Sequence, residues 1–285
     1  MTESDYSSYV GREEYQQDKA DPVRVAGLAA LLDHDDPPWT PGMLPPLGHW
    51  LCFPPQARQS TLGEDGHPRR TTDSILPAGD LPRRMWAGSR IEFREDIPLG
   101  ASIERRSTLI AATPKAGRSG RMLFATVRHE IGTVGGGVAI IDEHDIVYRE
   151  AAVAGTIVER ERVEAGSADA VTRTLIPDPV MLFRYSALTF NGHRIHYDRD
   201  YARERECYPG LVVHGPLIAT LLLDHLLDHH RGRRPMHFTF RASSPTFDGE
   251  PLVVGFTPGE DGSFGLRAHN PDAPAVSATA VLAPA

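Results

Sequence analysis

Lysine and cysteine are among the scarcest side chains of this 285-residue sequence, which contains two of each. Because Lys19 and Lys115 are the lysines, 28 of the 30 basic residues are arginines (30 − 2). The formal net charge of −8 argues against a nucleic-acid or anionic-membrane partner, since either would favour a basic surface. Cys52 and Cys207 have neither metal-site nor redox-motif spacing, which predicts reduced, packed thiols in a cytoplasmic protein.

Long apolar runs are also absent. No stretch reaches the roughly 18 consecutive apolar residues that a membrane helix needs, and residues 1–6 lack the basic-then-apolar pattern of a signal peptide. We therefore expect neither membrane insertion nor secretion. The hydrophobic content of 40% still allows a sizeable core, in one large domain or two small ones.

The first half reads mostly as strands. Residues 1–20 are polar and acidic, which predicts a flexible N-terminus. Asp21 and Pro22 then resemble the N-cap and first residue of a helix. Further on, segments rich in β-branched residues are separated by turn signals. They predict antiparallel strands at 88–93, 101–113, 121–131 and 137–148.

The second half predicts a helix, a long buried helix and four more strands. The helices are expected at 178–188 and 216–229, and the strands at 236–242, 251–256, 263–268 and 275–282. A long helix wrapped by a curved antiparallel sheet is the hot-dog arrangement. We therefore predict an α+β double hot-dog with its units at 21–150 and 175–285, joined by a linker at 151–174.

Two nearby motifs carry the chemistry. Asn191, His193 and His196 fall within one short segment, and Val-Val-His-Gly-Pro follows at 212–216. Because a Gly-Pro pair that opens a helix leaves unpaired N–H groups at its positive end, it can stabilise a developing oxyanion. A histidine base beside such a helix start indicates chemistry on a carbonyl compound.

Several segments together resemble a known enzyme family. They are residues 44–51, 81–88 and 145–150 in the first half, and 191–198, 214–216 and 240–245 in the second. The chain resembles the MaoC-like hydratases and dehydratases, in the branch of type 2 3-hydroxyacyl-thioester dehydratases and mesaconyl-C4-CoA or itaconyl-CoA hydratases. The resemblance implies reversible addition of water to an enoyl thioester, with a CoA thioester as substrate and without a metal or redox cofactor.

The motif departs from the family pattern at one position. Aligned on His196, the usual aspartate is replaced by Asn191, and an amide cannot accept a proton from water at neutral pH. We therefore expect His196 to be the main general acid/base, since the ordinary pKa of histidine is about 6.5. Asn191 is expected to orient the water or the imidazole, and the N–H of Gly215 to bind the thioester oxygen. The first half, which lacks this motif, is expected to shape the acyl pocket.

Other candidates stay open. His193 is interpreted as a substrate contact, a partner of the catalytic residues or an exposed side chain, and His214 as a core or helix-start residue. Arg194 is a candidate for pairing with a substrate carboxylate, although a surface position explains it equally well. Arg233 and Arg234 are candidates for the CoA phosphates. Arg83, Arg84 and Arg231 are further candidates for the same role.

Competing functions remain at this level. His193 and His196 form an His-x-x-His pair, but no cysteine or glutamate completes a usual metal set, so we expect no metal. A hot-dog thioesterase would use the same helix start, and a non-catalytic acyl-CoA-binding subunit would not need the missing aspartate. We favour the carbon–oxygen lyase, acting on a short branched or dicarboxylic acyl-CoA such as mesaconyl-C4-CoA, and expect a homodimer.

Overall fold

Ten strands form one antiparallel sheet in the computed structural model, which describes residues 6–117, 120–151, 170–270 and 273–284. The strand order is β1-β3-β4-β5-β2-β7-β10-β9-β8-β6. The strands are β1 Glu13–Lys19, β2 Arg83–Phe93, β3 Ser102–Gly117, β4 Gly120–Thr133, β5 Val138–Arg149, β6 Val171–Leu175, β7 Pro235–Ala242, β8 Leu252–Pro258, β9 Ser263–His269 and β10 Pro274–Leu282.

The helices lie between these strands in sequence. They are α1 Pro22–Leu31, α2 Pro179–Thr189, α3 Arg199–Glu204 and α4 Gly215–His229, with short 3-10 turns at Ser7–Tyr9, Gly48–Leu51, Gln59–Thr61 and Arg194–His196. None of the described helices is both long and apolar enough to cross a membrane.

The two halves of the chain join through one strand pair. β2 from the first half pairs antiparallel with β7 from the second, with Gly88 opposite Arg241 and Glu92 opposite His237. The half-sheets therefore form one continuous surface, and their residues share a hydrophobic core. This confirms the predicted α+β double hot-dog.

Helix α4 is the central helix of the second half. Pro216 at its second residue favours this start, because a proline there removes only an N–H that has no partner inside the helix. All eleven residues from Leu217 to Leu227 are buried, which confirms the predicted long buried helix. In the first half, α1 is only ten residues long. Its start is as predicted, because the Asp21 side chain accepts a hydrogen bond from the N–H of Val23 at 2.8 Å.

Two segments predicted to be irregular contain strands. Residues Glu13–Lys19 form β1 on the edge of the sheet and pair with β3, so the expected flexible N-terminus is wrong for them. Their side chains are mostly exposed and polar, so apolar alternation gave no signal. Likewise, Val171–Leu175 of the predicted linker form β6 against β8. Residues 1–5 and 152–169, which fall in the predicted tail and linker, lie outside the described residues.

Candidate active site

A cavity of about 1590 Å³ is lined by residues from both halves of the chain. The second half contributes His193, His196 and Gly215, and the first half contributes His67 and Trp86. The site therefore does not belong to the C-terminal unit alone.

The motif segment begins where α2 ends. Phe190 takes a left-handed conformation (φ 50°) and the N–H of Asn191 donates to the oxygen of Ser186 at 2.8 Å. The Asn191 side-chain oxygen then accepts a hydrogen bond from the N–H of His193 at 3.0 Å. In this structure Asn191 therefore shapes the turn that leads to His196. Its expected bond to water or to an imidazole stays a prediction.

His196 is buried, and a hydrogen bond to the backbone holds one of its two ring nitrogens. Its Nδ1 lies 2.7 Å from the carbonyl oxygen of Val212, which can only accept, so we assign the proton to Nδ1 and leave Nε2 as an acceptor. The ring stacks on His214, with centroids 3.6 Å apart and planes at 20°. Burial lowers the pKa of His196 to about 4, and the bond to Val212 opposes this only in part. The imidazole is therefore neutral near pH 7 and able to accept a proton.

His214 and Gly215 form the start of α4. The Nε2 of His214 lies 2.9 Å from the hydroxyl oxygen of Ser186, and its carbonyl oxygen accepts the N–H of Ile218 at 3.1 Å. His214 is thus a buried helix-start residue, one of its two predicted roles. The N–H of Gly215 lies at the positive end of the helix, where it is suited to an oxyanion.

Arg194, a candidate for pairing with a substrate carboxylate, has partners within the protein. Arg194 lines the cavity, but its Nε and Nη2 donate to Asp198 at 3.0 and 2.7 Å and its Nη1 donates to the oxygen of Glu64. Arg194 is therefore already engaged within the protein.

Arg233 and Arg234 follow the C-terminal end of α4 and line a separate cavity of about 400 Å³. The fifteen residues of the helix span about 22 Å, which separates them from Gly215. Arg233 donates to the oxygen of Ala283 and Arg234 to that of Arg94. Arg233 and Arg234 therefore do not lie beside His196, and their expected role at the CoA phosphates stays a prediction.

A loop of the first half enters the site. The Nδ1 of His67 lies 2.9 Å from a carboxylate oxygen of Asp65, and the ring of His67 lies 4.3 Å from that of His193. The Asp65 carbonyl oxygen accepts the N–H of Arg194 at 2.9 Å, so the loop is tied directly to the motif. No residue of this loop was among the predicted site residues. An Asp-Gly-His sequence is the signal that was available.

Arg84 is a further basic residue that lines the cavity. Within the part of the chain that the structure describes, its side chain has no hydrogen bond or ion pair. Burial lowers the pKa values of His67 and His193, and the positive charge of Arg84 lowers them further. The same charge lowers the pKa of the Asp65 carboxyl group, so Arg84 acts on both imidazoles and on this carboxylate without forming an ion pair with it.

The first half also contains a buried polar cluster. Asp142, whose side chain is fully buried, accepts hydrogen bonds on one oxygen from His49 at 3.0 Å, Trp50 at 2.8 Å and His144 at 2.6 Å. The ring of His144 packs on Trp86 with centroids 4.1 Å apart. These residues line the same cavity, so the first half contributes ionisable groups that its sequence did not reveal.

Metal binding was not expected. Potential ligand atoms of Asp65, His67 and His193 nevertheless lie within 4.8 Å of one another, a set of donors that suits a transition metal. The hydrogen bond between Asp65 and His67 already explains the position of both side chains. The expected absence of a metal stays a prediction.

The amino-acid sequence also matches known proteins. Residues 47–248 match the sequence pattern of the family described as hydroxyacyl-thioester dehydratase type 2. The chain is 44% identical over 292 residues to a mesaconyl-C(4)-CoA hydratase of Chloroflexus aurantiacus, covering 99% of each chain.

Solved structures support the fold. A MaoC-like dehydratase from Phytophthora capsici has a TM-score of 0.70 at 14% identity, with 96% of this chain and 95% of that chain covered. A Mycobacterium tuberculosis protein described as having a double hot-dog fold has a TM-score of 0.57 at 13% identity, with 96% of each chain covered. The family match and the full-length identity together show that the chain belongs to the type 2 hydroxyacyl-thioester dehydratase family.

Proposed function

We propose that this protein adds water reversibly to the double bond of an enoyl-CoA, with a short branched dicarboxylic acyl group such as mesaconyl-C4-CoA as its substrate. The observation that carries the proposal is the position of His196. Its neutral, buried imidazole stacks on His214, which directly precedes the N–H of Gly215 at the start of α4. An acid/base group thus lies beside a site for the thioester oxygen.

The chemistry follows from this pair. Water forms the C–O bond at the β-carbon, and the π electrons of the double bond move towards the thioester oxygen. The N–H of Gly215 stabilises the negative charge that develops on that oxygen. The Nε2 of His196 then delivers to the α-carbon the proton that water has released, which restores the neutral imidazole and leaves the thioester intact.

Arg84 supports the dicarboxylic part of the proposal. A substrate with a carboxylate on its β-carbon carries this charge close to the reacting atoms. Arg84 lines the cavity beside His67 and His193. Asp65 is near enough to feel its charge, but no described carboxylate forms a hydrogen bond or ion pair with it. Guanidinium and carboxylate groups match in bidentate geometry, so this residue is suited to hold the free carboxylate.

The related chain from Chloroflexus aurantiacus is described as a mesaconyl-C(4)-CoA hydratase, which supports the choice of substrate. The proposal includes no bound cofactor, a cytoplasmic location and a homodimer. Sedimentation analysis of the purified protein tests the dimer, and a single species with the mass of one chain would contradict it.

The direct test is mass spectrometry of mesaconyl-C4-CoA and crotonyl-CoA after incubation with the protein. We expect mesaconyl-C4-CoA to gain one water with its thioester intact. His196→Ala should lower the rate by about 10²–10⁴-fold, whereas His237→Ala, on an exposed position of β7, should not. Release of free CoA would identify a thioesterase. Binding of acyl-CoA with no product would support a non-catalytic subunit.

A further inference from the structure

Among the described residues of the second half, no carboxylate contacts His196 or His214. His196 donates to a backbone carbonyl and His214 contacts a serine hydroxyl. Asn191 occupies the position at which the family pattern has an aspartate. Deprotonation of water would therefore create a buried imidazolium without a bonded anion, which is costly in an apolar environment.

The first half supplies a carboxylate, that of Asp65, beside the histidines of the second half. The Asp65 side chain contacts His67 twice, through Nδ1 at 2.9 Å and through the backbone N–H at 3.1 Å. A carboxylate acceptor places the proton on Nδ1 and leaves Nε2 as the basic nitrogen, in the same way that the aspartate of a catalytic triad orients its histidine. His67 lines the cavity, so this nitrogen belongs to a ring that a substrate can reach.

The position of the loop is fixed. Its backbone is closed by a hydrogen bond from the N–H of Gly63 to the oxygen of His67 at 2.7 Å. The bond from the N–H of Arg194 to the oxygen of Asp65 ties it to the catalytic segment of the second half. Because these hydrogen bonds hold the loop, Asp65 and His67 need no further conformational ordering when a substrate binds.

The four imidazoles follow one another away from the start of α4. His214 adjoins Gly215, His196 stacks on His214 at 3.6 Å, His193 meets His196 at 5.3 Å and His67 meets His193 at 4.3 Å. If the thioester oxygen binds to Gly215, we expect the α-carbon to lie nearest to His196. We expect the β-carbon, one bond further along the acyl chain, to lie on the side of His67.

We propose that His67 is a second catalytic residue, which deprotonates the attacking water, and that Asp65 is its positioning residue. The inference rests on the proposed hydratase function. In the hydration direction the O–H bond of water breaks as its oxygen bonds to the β-carbon, and the proton passes to Nε2 of His67. It then moves to His196, through His193 or through water in the cavity, and from His196 to the α-carbon. No proton is gained or lost overall.

Substrate binding assists this step. Burial lowers the pKa of His67, the hydrogen bond to Asp65 raises it in part, and the charge of Arg84 lowers it. His193 and His196 are the neighbouring ionisable groups and are neutral. A substrate carboxylate on Arg84 would neutralise the opposing cation. His67 therefore becomes a stronger base in the complex than in the free enzyme.

The test is steady-state hydration of mesaconyl-C4-CoA by wild type, His67→Gln, His67→Ala, Asp65→Asn and Asp73→Asn. We expect His67→Gln to lower kcat by about 10²–10³-fold with KM nearly unchanged. Asp65→Asn should give a smaller loss, of about tenfold to 10²-fold, because the ring remains but is no longer oriented. Asp73, an exposed residue of the same first-half segment, is the matched control and should leave kcat unchanged. Added imidazole should restore part of the activity of His67→Ala and leave wild type unchanged, which separates a lost base from a folding defect.

The outcomes are distinguishable. A wild-type protein that hydrates no enoyl thioester would refute the proposed function itself. An active wild type with a His67→Gln variant of equal kcat, or a His67→Ala variant that imidazole does not rescue, would overturn this inference alone. Wild type treated with EDTA should keep its activity. Loss of activity in EDTA and recovery with Zn²⁺ would assign Asp65, His67 and His193 to a metal ion instead.

Discussion

Gly66 packs directly against the carbonyl group of Gly192, so closely that a Cβ on Gly66 would lie 1.9 Å from that oxygen. The first residue belongs to the loop that carries Asp65 and His67, and the second to the catalytic motif. The backbone of Gly66 also has a φ of +90°, which residues with a side chain rarely adopt. This contact joins the two halves of the chain at the candidate site.

Replacement of Gly66 by alanine tests the contact. The new methyl group must push the loop away from Gly192, so we expect Gly66→Ala to lower kcat at least tenfold and the free energy of unfolding by about 2 kcal/mol or more. Gly100→Ala is the matched control, because Gly100 also has a positive φ (+82°) but open space around its Cβ position. It should lose only about 1–2 kcal/mol from backbone strain and keep its kcat. Equal kcat values in the two variants, measured with equal amounts of folded protein, would contradict this role of the contact.

The sequence predicted the second half better than the first. The buried run of α4 and the alternating strands have strong local patterns, and His196 and Gly215 became candidates because both lie in short motifs. The edge strand β1 was missed because its exposed side chains show no apolar alternation. His67 was missed because its relation to His193, 126 residues away (193 − 67), depends on how the two halves pack. Local sequence patterns do not contain such a long-range relation.

Arg84 should determine selectivity for a substrate carboxylate. A charge-assisted hydrogen bond is worth about 1.5–3 kcal/mol, so Arg84→Ala should lower kcat/KM for mesaconyl-C4-CoA by roughly tenfold to 150-fold. Crotonyl-CoA, which has no free carboxylate, should lose little. Arg184→Ala, on an exposed position of α2, is the control. An equal loss for both substrates would show that Arg84 contacts the CoA portion or supports the fold.

Asp142 should contribute to stability through the three hydrogen bonds that its carboxylate accepts. Burial raises the pKa of this carboxyl group, but His144 and His49 outweigh it and hold the pKa well below the ordinary value of 3.8. Asp142→Ala would leave the donors of His49, Trp50 and His144 without their acceptor, and we expect a loss of about 3–5 kcal/mol in chemical denaturation. Asp145→Ala is the control on the same strand, since Asp145 is partly exposed and paired with Arg90. Its loss should stay below about 1 kcal/mol. Similar values for both variants would refute the assignment.

The buried histidines should make the fold sensitive to mild acid. Burial lowers the pKa of His196 to about 4, and it also lowers the pKa of His214 well below its ordinary value. Between about pH 6.5 and pH 4 the unfolded chain therefore binds protons at these positions that the folded chain does not bind. Stability is then fully present above pH 6.5 and falls as the pH falls. For His196 alone the loss reaches about 3 kcal/mol near pH 4.

Urea denaturation of wild type and His196→Gln at pH 7.5, 6.0 and 5.0 measures this effect. The glutamine variant lacks one of the titrating groups, so its free energy of unfolding should fall less steeply with pH than that of wild type. Because all other ionisable groups are common to both proteins, the difference between the two curves isolates His196. Parallel curves over this range would mean that His196 titrates alike in the folded and unfolded states, and that its imidazole is not held neutral by burial.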